Sequence, residues 1–245
     1  MLIKSGSVRL YASCDQIYEA LTGSRASTVF GGLLVIEGDR ARMVLKGEYR
    51  DRVAELRVAS KRVDGGAKLE LVNELGVQCV LMNVECVEEG LRCVARYEIA
   101  LNPTGLGVST NVVNLTLMHM FRGFEERLRK AVREMLKHSP ELGEKFLRED
   151  FATRVVAKAG ILERGRKPLR DIVLSEIAAR YPQHQIYVAT SGEPLFRAVV
   201  LDGLYDAYLR LGALEYRGEK ALAKARERSE EVLVTVYSIN ELVPP

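Results

Sequence analysis

The stretch QCVLMNVECVEEGLRCVARYEIAL, residues 78–101, decides the fold. Apolar and polar residues alternate on both sides of Glu89-Gly90, which is the period-2 pattern of a strand with one dry face. A two-residue turn centred on Glu89-Gly90 pairs Cys86 with Cys93, Val84 with Ala95, Met82 with Tyr97 and Val80 with Ile99. Each pair is apolar or nearly so, and residues 78–101 therefore read as an antiparallel hairpin.

The same reading extends upstream through four more turns. A turn at Gly76-Val77 pairs Leu71 with Met82 and Leu69 with Val84. Gly65-Gly66 pairs Leu56 with Leu75 and Val58 with Asn73. Arg50-Asp51 pairs Leu45 with Leu56 and Met43 with Val58, and Gly38-Asp39 pairs Ile36 with Ala41 and Leu34 with Met43. A one-residue slip at any turn would turn that strand's apolar set outward. All five turns place one apolar set on one face, so residues 33–101 are predicted to form a six-stranded antiparallel meander. Its other face, with Arg42, Arg57, Lys61, Lys68, Glu70, Glu85, Arg96 and Glu98, is predicted to be solvated.

Downstream, Val113, Leu117, Met120, Phe121, Phe124, Leu128, Ala131 and Met135 recur at three- and four-residue steps. The pattern predicts one helix over 108–137, about 45 Å long at 1.5 Å per residue, enough to cover the dry face. Upstream, Leu2–Tyr11 reads as another strand, Ser13 as the N-cap of a helix over Asp15–Leu21, and Arg25–Phe30 as a second short helix.

Strand, two short helices, six strands and a long helix is an order that resembles the START / Bet v 1-like (SRPBCC) helix-grip superfamily. Within it, the resemblance is to proteins like the G subunit of carbon monoxide dehydrogenase and to small archaeal members. It covers residues 1–138 and rests on that order, on Asn102-Pro-Thr-Gly-Leu-Gly-Val108, and on the helix ending FEERLRKAVREM at Met135. The implied fold is α+β, a curved seven-stranded antiparallel sheet wrapped on a long helix with an apolar cavity between them. Many relatives bind lipids, sterols or polyketides there; a minority are enzymes.

The dry face would line such a cavity with Met43, Leu45, Leu56, Val58, Leu69, Leu71, Val80, Met82, Val84, Ala95 and Ile99, and the helix would add Leu117 and Phe121. Four polar residues break the pattern: Ser60, Asn73 and Tyr97 on the sheet and Asn114 on the helix. Asn73 reads either as a ligand hydrogen bond or as a core amide bonded to Ser60, Tyr97, Asn114 or a buried water, because a buried amide without partners costs about 1–3 kcal/mol. The expected ligand-binding set is Met43, Leu45, Val58, Ser60, Leu71, Asn73, Met82, Tyr97, Asn114, Leu117 and Phe121.

Enzyme signatures are missing. There is no G-x-S-x-G, no phosphate loop ending in Lys-Ser/Thr, no G-x-G-x-x-G after a strand and no H-E-x-x-H. His119 falls on the outer side of the helix pattern. The four cysteines, Cys14, Cys79, Cys86 and Cys93, form no C-x-x-C pair, so no metal and no cofactor is expected. Cys86 and Cys93 fall opposite each other in the predicted hairpin, about 4.5–5.5 Å apart at Cα. They read as either two small buried thiols or a disulfide.

The chain has 245 residues, 47% of them apolar and 28% charged, with a net charge of +3. That composition excludes wholesale disorder, collagen-like repeats and a disulfide-stapled mini-protein. No apolar run approaches the ~20 residues of a membrane span, and the N-terminus lacks a signal-peptide core, so a cytoplasmic location is expected. Residues 1–138 hold the whole net charge and 139–245 balance, which is not the one-sided basic balance of a dedicated nucleic-acid binder. Asn and Gln are scarce, as in thermophilic proteins.

Residues 139–167 read as a helical connector: Ser139-Pro140 opens a helix reaching about Ala159, and 160–167 form a linker rich in Arg and Lys. Residues 168–245 read as a small α+β domain with a helix from Pro168 to Arg180, strands Gln185–Thr190, Leu195–Leu201 and Leu204–Leu211, a helix Tyr216–Arg228 and a strand Glu231–Ile239. Ser191-Gly-Glu-Pro194, Asp202-Gly203 and Gly218-Glu-Lys-Ala-Leu222 weakly resemble roadblock-type adaptor modules, which implies dimerisation or partner contact. The expected function is non-enzymatic binding of an apolar small molecule or lipid, with a C-terminal interaction domain giving a homodimer or a protein partner. The alternatives are a cyclase- or hydrolase-like enzyme in the same cavity, or an assembly protein with a filled core.

Overall fold

The computed structural model describes residues 1–60 and 66–243; nothing is described of the Ser60 side chain. The chain forms two compact units, Met1–Val132 and Arg133–Pro245. In unit 1, β1 (Leu2–Leu10), α1 (Cys14–Thr22) and α2 (Ala26–Val29) precede β2 (Leu34–Glu37), β3 (Arg40–Leu45), β4 (Arg52–Ser60), β5 (Gly66–Val72), β6 (Gln78–Glu89) and β7 (Arg92–Leu101). Three helices follow, α3 (Pro103–Leu106), α4 (Thr110–Phe121) and α5 (Phe124–Arg133). The seven strands form one antiparallel sheet in the order β1-β7-β6-β5-β4-β3-β2, so the first strand closes onto the last. This is the curved α+β helix-grip architecture.

The dry face is as the alternation requires, but most strands sit further along their partners than the simplest turns would put them. Only β2–β3 holds the expected register, with Leu34 opposite Met43 and Ile36 opposite Ala41. In β6–β7 the turn is Gly90-Leu91, so Cys86 faces Ala95, Val84 faces Tyr97 and Met82 faces Ile99. In β5–β6, Leu69 faces Met82 and Leu71 faces Val80. In β3–β4, a longer loop from Lys46 to Asp51, clamped by their ion pair at 2.5 Å, puts Met43 opposite Ala54. Across the regular part of each ladder these displacements are even, and an even displacement keeps every side chain on its face. Bulges between Val58 and Ser60 and between Leu71 and Val72 absorb the remainder.

The covering helix differs from the single rod expected over 108–137. It breaks at Arg122-Gly123, where Arg122 is extended (ψ 113°) and Gly123 has φ +67°. A positive φ costs glycine little, so the chain can leave α4 and start α5 at a new angle. The guanidinium of Arg127 fills the break. Its Nε donates to the Val29 carbonyl at 2.8 Å, its Nη2 to Met120 at 2.6 Å and its Nη1 to Arg122. Carbonyls that a helix end leaves unpaired are thereby satisfied. At the other end of the unit, Ser13 caps α1 through a reciprocal pair, Ser13 N to Gln16 Oε1 at 2.9 Å and Gln16 N to Ser13 Oγ at 3.4 Å.

Unit 2 contains β8 (Lys137–His138), α6 (Pro140–Phe146), α7 (Glu149–Lys158), β9 (Gly160–Pro168), a 3-10 turn (Leu169–Asp171), α8 (Leu174–Arg180), β10 (Ile186–Ser191), β11 (Leu195–Leu201), β12 (Leu204–Leu211), β13 (Leu214–Arg217), α9 (Gly218–Arg226) and β14 (Glu231–Ser238). Six strands run in the order β13-β12-β11-β10-β14-β9, and β8 pairs with β12. The stretch expected to be a basic linker is strand β9, laid antiparallel on β14. Its Arg164 and Arg166 are exposed at the sheet edge, while Glu163 takes Arg180 at 2.9 Å and Lys167 at 3.5 Å. One apolar core joins Ile177, Ile186, Val188, Phe196, Val200, Leu209, Val234 and Val236. Arg133 is buried against α8 and the β11–β12 turn, donating to the Tyr181 and His184 carbonyls at 2.5 Å each and meeting Asp202 at 3.3 Å. No helix among the described residues is long and apolar enough to cross a membrane.

Candidate functional site

The expected ligand residues divide into three groups. Met43, Leu45, Leu71, Met82 and Leu117 are buried on the inner side of unit 1, with Leu69, Val80, Val84, Ala95 and Ile99 beside them. Tyr97 and Phe121 are half-buried at the margin of that side, and Val58 is half-buried next to the β4 bulge. Asn73 and Asn114 fall elsewhere. Asn73 belongs to the β5–β6 turn, where its Oδ1 accepts from Leu75 N and Val77 N at 3.0 Å each and its Nδ2 donates to the Gly105 carbonyl at 3.0 Å. That amide sets the turn and ties it to the Gly105 backbone. Asn114 is exposed, because 60° off the apolar stripe is already the solvent side of α4. The expected role of the Ser60 side chain lies outside what is described. His119 is exposed, on the outer side of α4.

Met43, Leu69, Leu71, Met82, Ile99, Val113 and Met120 have 0% accessible area. A side chain with none has no water-sized void against it, so sheet and helices are in contact around these residues. The inner side is closed around these residues, while a pocket of about 790 Å³ opens at its margin on Gly6, Ala67, Val84 and Tyr97.

At its margin lies an aromatic cluster. Tyr97 stacks on Phe121 with ring centroids 5.7 Å apart and meets Phe124 at 4.7 Å; Phe121 and Phe124 are 5.1 Å apart, and Phe30 joins Phe124 at 5.7 Å. Phe121 ends α4 and Phe124 begins α5, so the rings bracket the break at Arg122-Gly123. Gly6 on β1 makes room for the Tyr97 ring, since a Cβ there would collide with the phenol oxygen. Lys4 lies over Phe121, 5.0 Å from its centroid. Burial raises the Tyr97 hydroxyl above its ordinary pKa, and the nearby Glu125 carboxylate adds to the rise.

A second constellation was not foreseen. The sulfur atoms of Cys14, Cys86 and Cys93 all lie within 4.8 Å of one another. Cys86 and Cys93 are diagonal neighbours rather than the directly opposed pair expected, because the turn sits one residue later. β1 brings Leu10 against Cys93, the chain turns through Tyr11–Ser13, and the capped start of α1 returns Cys14 to 3.2 Å from the Cys93 sulfur. All four cysteines are free thiols. Hydrogen bonds from Cys86 and Cys14 favour a thiolate at Cys93, whose pKa falls to about 7 despite burial. Burial raises Cys14 to about 12, and Cys86 is also driven up, first by its bond to Cys93. In unit 2, His138 Nε2 meets the buried Asp206 carboxylate at 3.0 Å, a pair the sequence reading did not foresee. Asp206 Oδ1 also accepts from Ala207 N at 2.7 Å.

No protein-family model and no curated protein matches the chain. Solved structures do. A START superfamily protein from Mycobacterium smegmatis is similar over 52% of this chain and 97% of its own, at 14% identity and a TM-score of 0.35. A major latex-like protein from Panax ginseng is similar over 51% and 95%, at 12% identity and 0.32. A protein from Thermus thermophilus is similar over 52% and 97%, at 10% identity and 0.34.

Proposed function

We propose that unit 1 takes up an apolar small molecule or lipid tail between sheet and helices, and that the structure is its closed, resting form. The observation that carries this reading is the break at Arg122-Gly123 beside the Tyr97–Phe121–Phe124 cluster, in which Phe124 is buried and the other two rings are half-buried. A rod-like cover would have to lift whole. A broken one can swing α4 away at a glycine, separate three rings and admit a chain-like molecule against Met82, Leu69 and Ile99. Apolar burial at about 25 cal/mol per Å² drives such binding, and Met43, Met82 and Met120 supply a lining that repacks easily. Unit 2 is the interaction module in this reading.

The closure of the inner side favours a second reading, in which unit 1 is a solid structural module. Native mass spectrometry separates the two. The full chain, incubated with long-chain fatty acids and with a total lipid extract, is expected to carry one apolar adduct per chain, and the same spectra report its oligomeric state. Repeated absence of any adduct across both preparations would leave the solid module as the answer.

A further inference from the structure

We infer that Cys14, Cys86 and Cys93 form a binding site for one thiophilic d10 metal ion of the zinc class, held by three thiolates with water in the fourth position. Sulfur ligands sit about 2.3 Å from such an ion, which places any two of them about 3.8 Å apart in a tetrahedral site. The three sulfurs already lie within 4.8 Å of one another, and those of Cys14 and Cys93 are 3.2 Å apart. Shifts well under the length of one bond would bring all three to a common centre. The donor set is all soft sulfur, which selects zinc-class and copper(I) ions over magnesium or calcium.

The frame around the cluster suits a ligand site. Cys86 and Cys93 stand on neighbouring strands of the sheet, and Cys14 is the first residue of the capped nine-residue helix α1, so two of the donors are fixed by the ladder and the third by the cap. The Glu88 carboxylate accepts from Cys14 N at 3.2 Å, which holds the helix start over the sheet. Cys93 is buried, whereas Cys14 and Cys86 are partly exposed, which leaves a path for an aquated ion to enter and room for a fourth, water ligand. On binding, each remaining S–H is replaced by a metal–sulfur bond and its proton passes to solvent. The ion would tie α1 to β6 and β7. Cys79 takes no part, being buried elsewhere with its sulfur on the Val77 carbonyl at 3.3 Å.

The test is an anaerobic titration of the full, phosphine-reduced chain with Cd²⁺, followed by thiolate-to-cadmium charge-transfer absorption and repeated with Zn²⁺ as competitor. The expected result is a linear rise that breaks at one ion per chain, proton release in weak buffer, and displacement by Zn²⁺. Cys93→Ser and Cys86→Ser are expected to abolish the break and weaken binding at least 100-fold, while Cys79→Ser leaves it unchanged. Cys14→Ser, at the more accessible helix start, carries the same expectation should either sheet variant fail to fold. A titration without a break at one equivalent overturns the site. So does a break that survives Cys14→Ser, or one lost in Cys79→Ser. Ligand uptake by the apolar interior needs no metal, so this outcome is independent of the mass-spectrometric one.

Discussion

Met82→Ala measures how solid the interior of unit 1 is. Met82 has no accessible area and stands between Leu69 and Ile99 on the neighbouring strands. Truncation removes three heavy atoms, worth about 2.4 kcal/mol of transfer free energy at ~0.8 kcal/mol per methylene-sized group. If the surroundings do not collapse, about 60 Å³ of cavity remains and adds about 1.4 kcal/mol at ~24 cal/mol per Å³. The sum is about 4 kcal/mol. Unfolding entropy of ~2.1 cal/mol/K per residue over Met1–Val132 comes to about 0.28 kcal/mol/K, so the Tm of that unit falls by about 14 °C. Differential scanning calorimetry of the full chain reads this as movement of one of two transitions. Met82→Leu, which nearly conserves volume, is the control and should cost less than about 1.5 kcal/mol. A shift for Met82→Ala below about 5 °C would mean that the side chain was bordered by empty space, and the claim of a packed inner side would fall.

Two further outcomes follow from individual contacts. Arg127→Ala leaves three carbonyls at helix ends without their donor and should cost about 2–4 kcal/mol; hydrogen exchange should quicken across Met120–Phe124 first, and unchanged exchange there would mean that the guanidinium does not hold the break. The Glu149 carboxylate is held below its ordinary range by the paired bonds from Arg197, at 2.6 and 3.0 Å. A depressed carboxylate stabilises above the unfolded value near 4.5 and loses that contribution as pH falls through the lower folded value. Glu149→Gln should therefore lower the unit 2 melting temperature slightly at pH 7, where the ion pair is intact, and converge on the unsubstituted chain as pH falls below about 4.5. The effect is small because Glu149 is largely exposed, and an identical acid profile for the variant would refute it.

The faces of the sheet were legible because alternation survives any even displacement of register. Val80, Met82 and Val84 point inward whether Met82 opposes Tyr97 or Ile99. Beyond β2–β3 the registers themselves were not legible, because turn length depends on side-chain bonds that pattern does not show: Asn73 gathers two backbone N–H groups and widens its turn, and Lys46–Asp51 closes a longer loop. The break in the covering helix hid for a similar reason. Gly123 fits a helical stripe as readily as it fits a positive φ, and the apolar spacing runs through it undisturbed. Strand β9 hid because an edge strand with polar residues on both sides has no alternation to read. The thiol cluster was hidden by sequence distance. Cys14 reaches Cys93 only through the pairing of β1 with β7, and no spacing rule links residues so far apart.

A packed interior and an apolar ligand are compatible only within an energetic window. A molecule burying about 300 Å² of apolar surface gains about 7.5 kcal/mol, and association alone takes back at least about 4. Opening the cover must then cost less than the remaining ~3.5 kcal/mol, or binding is weaker than its 1 M reference. A chain that buries about 450 Å² gains about 11 kcal/mol and tolerates a larger opening cost, so the closed form selects long apolar molecules over compact ones. An opening cost of about 2.7 kcal/mol weakens every apparent affinity about 100-fold, because only about 1% of molecules are open. The bonds of Arg127 contribute to that cost without touching the interior ligand space. Arg127→Ala should therefore strengthen uptake of a long-chain fatty acid even as it lowers stability. In a solid module the same substitution lowers stability and gains no adduct, so the sign of the affinity change decides between the two readings.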